Sequence, residues 1–212
     1  MITTVISDFG GVLTTPLIQS FVAYQEETGV DFKRFGEAMG RIMEREGEHP
    51  LFELECGRIS EADFYAQIEA ELEGDVSLAD FRERYFANLH PNEPMIEYMR
   101  SLRGRGFRMA ILTNNVREWE PLWRAKIPAI DEIFEVVVDS GFVGMRKPDP
   151  RIYELTLERL GGGVRAEECV FVDDIDVNCD AARALEMQAV HFVDAEQAIA
   201  ELERVLHNGA VT

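Results

Sequence analysis

The chain has 212 residues, a length that suits one sizeable hydrophobic core with or without a small inserted module. Its formal net charge of −19 argues against nucleic-acid and anionic-membrane partners, because both would be repelled where no basic patch intervenes. The three cysteines, Cys56, Cys169 and Cys179, show no metal-ligand spacing, so the sequence predicts neither a disulfide framework nor a zinc site.

The first residues, MITTVISDFGG, contain no basic leader and no apolar run of signal length. No segment approaches the roughly 18 apolar residues that a membrane helix needs. We therefore expect a cytoplasmic protein with no membrane partner.

Five short apolar runs rich in Val, Ile and Phe predict β-strands at 3–7, 108–113, 135–139, 169–173 and 189–193. The runs are continuous rather than alternating, which is typical of parallel strands covered on both faces. Helix signals among and after the last four are Asp149 before Pro150, Gly161 after the same helix, and a capping-box pattern of Asp194 with Gln197. This alternation predicts an α/β fold built on a five-stranded parallel sheet.

The interval 16–94 has helical periodicity without a strand-like run, and we interpret it as an inserted helical module. Ser60 and Ser77, each three residues before an aspartate, predict two helix starts within it. The predicted apolar stripes are Phe32, Phe35, Met39, Ile42 and Met43; Phe64, Ile68 and Leu72; and Leu78, Phe81, Tyr85 and Leu89. The predicted division is a core of 1–15 with 95–212 and a helical module of 16–94.

Polar or charged residues follow each of the first four predicted strands. They are Asp8; Thr113, Asn114 and Asn115; Lys147; and Asp173 with Asp174. Taken singly, each is explained as well by a turn, a helix cap or an exposed surface. Together they lie at the carboxyl edge of one predicted sheet, where open parallel sheets bind ligands. The set supplies a carboxylate nucleophile, oxygen-binding donors, a fixed cation and hard metal ligands, which phosphoryl transfer requires.

The motifs DFGGV, LTNN, RKPDPRIY and FVDDIDVN, in this order, resemble those of the haloacid dehalogenase-like hydrolase superfamily. The resemblance covers nearly the whole chain and implies a Rossmann-like core with 16–94 as its helical C1 cap. It also implies a phosphatase that forms an aspartyl-phosphate. In that reading Asp8 is the nucleophile, Thr113 and the Asn114 backbone hold phosphate oxygens, and Lys147 bridges Asp8 and the phosphate.

A Mg²⁺ site is also implied by the resemblance. The carboxylates of Asp8 and Asp174 and the backbone carbonyl of Gly10 would bind the metal, and Asp173 and Asn178 would support it and its waters. A bound cation would supply positive potential that draws a phosphate dianion to a strongly negative protein.

Gly10 departs from the family pattern, because the phosphatases usually carry a second aspartate there that protonates the leaving alcohol. Losing such proton transfer costs about 10²–10⁴-fold in rate. Members that resemble a bacterial glucose-1-phosphate phosphatase also have glycine here and remain phosphatases. We therefore expect a small phosphorylated metabolite whose leaving group needs little protonation, such as an anomeric sugar phosphate or an acyl phosphate. Glu48, His49 and Glu55 are candidates for a replacement acid.

Three alternatives stay open. A metal-independent 2-haloacid dehalogenase resembles the chain in its nucleophile and lysine, but it usually has tyrosine at Gly10, and Asp173 and Asp174 suit a metal. A catalytically weak or inactive phosphate-binding protein would have kept the fold and lost turnover with the general acid. A signalling receiver domain uses similar side chains, but the motif order, the length and the helical insert argue against it. The sequence indicates neither the substrate nor the oligomeric state.

Overall fold

A parallel β-sheet forms the centre of the computed structural model, which describes residues 1–72 and 76–208. Its strands are β1 Thr4–Ser7, β2 Arg108–Thr113, β3 Val136–Asp139, β4 Cys169–Asp173 and β5 Gln188–His191. They are arranged in the order β3-β2-β1-β4-β5, and every neighbouring pair is parallel. The predicted α/β fold with a five-stranded parallel sheet is confirmed.

Helices connect the strands. Those between β1 and β2 are α1 Leu17–Thr28, α2 Phe32–Glu46, α3 Pro50–Glu55, α4 Glu61–Glu71, α5 Phe81–Ala87 and α6 Glu93–Gly104. Those after β2 are α7 Glu120–Lys126, α8 Ile130–Ile133, α9 Ser140–Val143, α10 Pro150–Leu160, α11 Asp176–Ala184 and α12 Ala195–Asn208, with 3₁₀ turns at Arg117–Trp119 and Ala166–Glu168. No helix of the described ranges is long and apolar enough to cross a membrane.

Both faces of the sheet are covered, which explains the continuous apolar runs. Successive residues of β1 point to opposite faces, so Val5 joins one buried cluster and Ile6 joins another. The cluster of Val5 includes residues of α6 and α12 and of the helices between residues 17 and 87. The cluster of Ile6 includes residues of α10 and α11. Each central strand therefore needs apolar side chains on both sides.

The helix signals after β3 are largely as predicted. Oδ1 of Asp149 accepts the N–H of Arg151 at 3.0 Å, and Gly161 ends α10. Oδ1 of Asp194 likewise accepts the N–H of Gln197 at 2.9 Å. The Gln197 side chain accepts the N–H of Val193 at 3.1 Å, one residue before the position that a capping box requires.

Two features of the helical insert differ from the prediction. The Ser60 capping box before α4 is present, but Ser77 does not start a helix, because its Oγ accepts the N–H of Ala79 in a local turn and α5 begins only at Phe81. On the first predicted stripe, Phe32 and Met43 are 39% and 48% exposed. Phe32 is the first residue of α2, and Met43 points away from the face on which its neighbour Ile42 is buried.

The chain passes from the sheet into the insert and later returns, and these two connecting segments are hydrogen-bonded to each other. The N–H of Thr15 donates to the carbonyl of His90 at 2.8 Å, and that of Asn92 donates to the carbonyl of Leu13 at 2.9 Å. The predicted boundary at 94 falls in the first turn of α6. The division into a core and an inserted module stays a prediction.

Candidate active site

The strand order places a crevice at the carboxyl ends of β1 and β4. The chain leaves β1 toward β2 and β3 on one side, and β4 and β5 lie on the other, so the connections diverge between β1 and β4. Such a switch point is where open α/β sheets bind ligands. Asp8 directly follows β1, Asp173 is the last residue of β4, and Asp174 comes next.

Lys147 lies at this edge in the loop before α10, and its side chain is fully buried. Its Nζ is 2.9 Å from Oδ1 of Asp8 and 2.6 Å from Oδ2 of Asp173. Burial by itself would lower the pKa of Lys147, but the carboxylates of Asp173 and Asp8 together hold it above its ordinary value. The ammonium is therefore a fixed positive charge between two strand ends.

The backbone of Lys147 is fixed by Asn114. The Asn114 amide donates through Nδ2 to the Lys147 carbonyl at 3.0 Å and accepts the Lys147 N–H through Oδ1 at 2.8 Å. This pairing holds the Asn114 side chain against the Lys147 backbone and leaves the main-chain N–H of Asn114 for a ligand. The hydroxyl of the preceding residue, Thr113, is buried and makes no hydrogen bond to another described residue.

Asp173 uses both of its carboxylate oxygens within the protein. Oδ2 contacts Lys147, and Oδ1 accepts the Ile175 N–H at 2.8 Å and Nδ2 of Asn178 at 3.0 Å. Asn178 is itself buried, and its carbonyl accepts the hydroxyl of Tyr153 at 2.9 Å. Asp173 and Asn178 thus form a rigid support for the lysine and for the turn that carries Asp174.

Asp8 is more available than Asp173. Its Oδ1 accepts the N–H of Phe9 at 2.7 Å and contacts Lys147, whereas its Oδ2 makes no hydrogen bond to another described residue. Burial raises the pKa of Asp8 to about 7, with Lys147 opposing the shift and Asp173 and Asp174 adding to it. One oxygen is fixed and the other is free to react or to bind a cation.

Three carboxylates at this edge fit a hard divalent cation. One oxygen from each of Asp8, Asp173 and Asp174 lies within 4.8 Å of the others. Burial, and next the charge of Asp173, raise the pKa of Asp174, whose carboxylate makes no hydrogen bond to another described residue. Clustered carboxylate oxygens are the donors that Mg²⁺ prefers, and a cation there would relieve their mutual repulsion. The donor set therefore fits Mg²⁺.

The two glycines after Asp8 have different roles. Gly11 has a φ of +78°, and a Cβ on it would lie 2.2 Å from Oδ2 of Asp174, so only glycine lets this carboxylate approach the loop. Gly10 is outside the left-handed region, and a Cβ there would meet Cδ1 of Leu17 at 3.1 Å. Its carbonyl accepts no hydrogen bond from a described residue. Gly10 thus has an ordinary backbone and a carbonyl that can bind a ligand.

The three candidate replacement acids are placed very differently. Glu48 is exposed, and His49 is half-buried with its ring against Phe52 at a centroid distance of 4.5 Å. Glu55 lines a cavity beside Gly10, and its Oε2 is 2.7 Å from Nε of Arg146. Burial raises the pKa of Glu55, and Arg146 opposes that shift.

The segment that carries Glu55 is attached to the sheet edge through Ser140. The Ser140 hydroxyl donates to the Glu55 carbonyl at 2.6 Å and accepts the N–H of Asn115 at 3.0 Å. Nearby, a Cβ on Gly57 would lie 2.3 Å from the carbonyl oxygen of Gly141, so the loop and the core approach closely there. The position of Glu55 relative to the strand ends is therefore fixed by direct contacts.

The cavity beside Gly10, called the apolar cavity below, was not predicted. It has a volume of about 150 Å³. Its walls are Phe9, Gly10, Leu17, Phe21, Leu51, Glu55, Tyr85, Phe86, Leu89, Thr113, Asn114, Asn115, Val116, Trp119 and Trp123. In the sequence these apolar residues follow the same periodicity as core residues, so no signal distinguishes a cavity wall from the packed interior. Arg146 was also missed, although it directly precedes Lys147 in RKPDP.

Comparison with known proteins agrees with this geometry. A family model for the haloacid dehalogenase-like hydrolases matches residues 2–186. Bifunctional epoxide hydrolase 2 of Sus scrofa is 28% identical over 215 residues, which cover 93% of this chain but only 38% of that protein. A sesquiterpene phosphatase of Aspergillus oryzae is 29% identical, with 95% of each chain covered. A glyceraldehyde 3-phosphate phosphatase of Methanopyrus kandleri is 35% identical over 96 residues, which cover 44% of this chain and 39% of the relative.

Solved structures share the fold. A HAD-family enzyme of Bacteroides thetaiotaomicron superposes with a TM-score of 0.73 at 20% identity, covering 96% of this chain and 98% of that one. A second structure of that enzyme, in complex with magnesium and inorganic phosphate, superposes with a TM-score of 0.68 at 21% identity, covering 95% and 99%. At this identity the likeness establishes the architecture alone.

Proposed function

Because the chain belongs to the haloacid dehalogenase-like hydrolases, we propose that it is a Mg²⁺-dependent phosphomonoester hydrolase that acts on a small phosphorylated metabolite. The observation that carries the proposal is the buried Lys147 ammonium, which contacts Asp8 and Asp173 at the switch point of the sheet. Two of the relatives are named as phosphatases, which supports the same reaction class.

Asp8 is the proposed nucleophile. Its Oδ1 is held by Phe9 and Lys147, and Oδ2 attacks phosphorus while the bond from phosphorus to the alcohol oxygen breaks. The alcohol oxygen leaves with the bonding electron pair and takes up a proton from solvent water, and an aspartyl-phosphate remains. Water then attacks phosphorus while the bond from phosphorus to Oδ2 of Asp8 breaks, and the protons of that water pass to the released inorganic phosphate and to solvent, which regenerates the Asp8 carboxylate.

The phosphoryl oxygens are bound by three groups in this proposal. The Thr113 hydroxyl and the Asn114 main-chain N–H supply hydrogen bonds, and Lys147 supplies positive charge. Donors that are already in place cost little reorganisation when charge develops in the transition state. The pairing of the Asn114 amide with the Lys147 backbone supports this, because it keeps the lysine and the strand end together.

Asp8, Asp174 and the Gly10 carbonyl are the proposed Mg²⁺ ligands, and Asp173 and Asn178 are their proposed support. The cation, when bound, neutralises charge on the phosphoryl oxygens and lets a dianion approach the acidic edge. The carboxylate cluster supports this assignment. The structure of the HAD-family enzyme of Bacteroides thetaiotaomicron in complex with magnesium and inorganic phosphate supports it as well.

Residues 16–94 are the proposed C1 cap, with the apolar cavity at their junction with the core. The cavity touches Gly10 and Thr113 on the core side and Leu17 and Leu51 on the cap side. This placement supports a role for the cap in selecting the alcohol part of the substrate. Two of the relatives are named for an apolar compound, a sesquiterpene, and for a polar one, glyceraldehyde 3-phosphate, so their names leave that choice open.

The deciding experiment is a screen of phosphomonoesters in which released phosphate is measured with Mg²⁺ and with EDTA. The Asp8→Asn variant tests the nucleophile, and Asp131→Asn is a matched control because that side chain is 82% exposed. We expect Mg²⁺-dependent release that Asp8→Asn abolishes and Asp131→Asn retains. Chelator-resistant cleavage of a 2-haloacid would identify a dehalogenase. Tight binding of orthovanadate without hydrolysis of any ester would identify a phosphate-binding protein.

A further inference from the structure

The apolar cavity directly adjoins the residues that would hold the phosphate. Thr113 and Asn114, two of the proposed phosphate-binding residues, form part of its wall together with Gly10, a proposed metal ligand, so a phosphate bound there would lie at the edge of the cavity. Most of the remaining wall is carbon, contributed by side chains such as Leu17 and Phe86. The alcohol part of a phosphomonoester bound there would then occupy this space.

Hydrogen-bonding groups are few on this wall outside the phosphate-binding residues. Glu55 pairs with Arg146 through Oε2, and Asn115 accepts the N–H of Val116 through Oδ1 at 2.9 Å, so one polar atom of each side chain is already used. Tyr85 is buried and offers one hydroxyl. The several hydroxyls of a sugar would lose water here and find few partners, which is costly.

The aromatic part of the wall is interlocked. The rings of Tyr85 and Phe86 lie 5.2 Å and 5.4 Å from the ring of Trp119, and the ring of Phe9 lies 4.9 Å from that of Trp123. Contacts at these distances hold aromatic side chains in place without a ligand. The cavity is thus preformed, as ligand sites commonly are.

We propose that the substrate is the monophosphate of an apolar alcohol, whose hydrocarbon group fills the apolar cavity. This inference rests on the proposed phosphatase function. The size of the cavity supports an upper limit on the buried part. An engineered cavity of about 150 Å³ lined by Leu, Ile and Phe binds benzene. The cavity here has a similar volume, so about six carbons are buried next to the ester oxygen.

The test is a series of n-alkyl monophosphates from ethyl to octyl, assayed with Mg²⁺. All of these alcohols leave with nearly equal difficulty, so differences in kcat/KM report burial of the chain. We expect kcat/KM to rise about fourfold per methylene and to level off near hexyl. Hexyl phosphate should then exceed glycerol phosphate and glucose 6-phosphate by at least about tenfold. A flat series, or a polar ester that exceeds hexyl phosphate, would overturn the proposal.

A variant of a cavity residue and a matched control test whether the dependence on chain length arises in the apolar cavity. Leu51 lines the cavity and Leu155 lies outside it on α10, and both are half-buried. Leu51→Gln should flatten the dependence on chain length, whereas Leu155→Gln should leave it as in the unaltered protein. An unchanged slope in a folded Leu51→Gln protein would place the hydrocarbon elsewhere and overturn the assignment.

A binding measurement separates this inference from the proposed function. The chain has two tryptophans, Trp119 and Trp123, and both line the cavity. Titration with n-hexylphosphonate and ethylphosphonate should change tryptophan fluorescence at lower concentration for the hexyl compound. Hydrolysis of phosphomonoesters without preference for chain length would refute the inference and keep the function. Preferential hexyl binding with no hydrolysis of any ester would refute the function and keep the apolar ligand class.

Discussion

The Nζ of Lys147 lies 2.9 Å from Oδ1 of Asp8, and the two side chains are only 0% and 9% exposed. A charge pair that has lost its water depends on its remaining partners, so a change in one member changes the charge state of the other. The pair holds Oδ1 of Asp8 in place, and Oδ2 has no hydrogen-bond partner within residues 1–72 and 76–208. From this arrangement we predict effects on hydrolysis, on the pH dependence of stability and on metal binding.

Asp8→Asn is expected to reduce phosphomonoester hydrolysis to the buffer background. The amide keeps the shape of the side chain and can still accept the Phe9 N–H, but it lacks the charge that attacks phosphorus. Phosphate release should be measured together with circular dichroism to verify folding. Near-normal turnover in the folded variant would exclude covalent catalysis through Asp8.

The pH dependence of stability should also change in Asp8→Asn. Burial raises the pKa of Asp8 from its ordinary 3.8 to about 7 in the folded, metal-free protein. The folded state thus binds a proton that the unfolded chain has already released, and the resulting stability is complete below pH 3.8 and lost as the pH rises through about 7. We expect metal-free Asp8→Asn to melt at a higher temperature than the unaltered protein at pH 8.

This comparison has an internal control, because Asp139 is present in both proteins. Burial also raises the pKa of Asp139, to about 6, and its contribution cancels in the difference. The difference in melting temperature should shrink steadily between pH 8 and pH 5. A difference that does not vary with pH would mean that Asp8 is ionised throughout this range in the folded protein.

Mg²⁺ should stabilise the protein and be required for hydrolysis. The Asp8, Asp173 and Asp174 carboxylates repel one another, and a bound cation that the unfolded chain cannot hold shifts the equilibrium toward the folded state. EDTA should abolish phosphate release, and added Mg²⁺ should restore it and raise the melting temperature. Asp174→Asn should weaken both the restoration of phosphate release by Mg²⁺ and the rise in melting temperature. Asp176→Asn, at a side chain that is 68% exposed, should not.

Asn114→Ala is expected to impair catalysis by displacing Lys147. The substitution removes both hydrogen bonds to the Lys147 backbone and leaves a buried N–H unpaired, which costs about 1–3 kcal/mol of stability. A small displacement of a catalytic group can lower the rate by up to about a hundredfold. Asn88→Ala is the control, because that amide donates to the Arg84 carbonyl at the C-terminal end of α5 and makes no hydrogen bond to Lys147. Equal rates in the two variants would show that Lys147 keeps its position without Asn114.

The sequence predicted the sheet edge well because strand ends leave strong local signals. A continuous apolar run followed by an aspartate places Asp8 and Asp173 without knowledge of other contacts. The sequence could not show that the Asn114 side chain pairs with residue 147, because 33 residues separate them. It also misplaced a helix start at Ser77, where a local hydroxyl bond competes with the cap geometry.

The last prediction concerns Gly10, which stands where a proton donor is usual. Without that donor, the leaving alcohol departs with developing negative charge, so the rate should fall steeply as the pKa of the alcohol rises. Substituted phenyl phosphates of similar size give a series that separates this effect from the fit to the apolar cavity. We expect a steep plot, with simple alkyl phosphates slower than aryl phosphates by about an order of magnitude or more.

Gly10→Asp should flatten that plot if the new carboxyl can reach the ester oxygen. The backbone there is outside the left-handed region, and the obstacle is Leu17, whose Cδ1 would lie 3.1 Å from the new Cβ. Gly10→Asp combined with Leu17→Ala relieves that contact, and Leu17→Ala alone is the control. A flat plot in the unaltered protein, with the chemical step rate-limiting, would instead indicate that a proton donor is already present. Glu55, the candidate acid that lines the cavity, would then be the donor if Glu55→Gln made the plot steep.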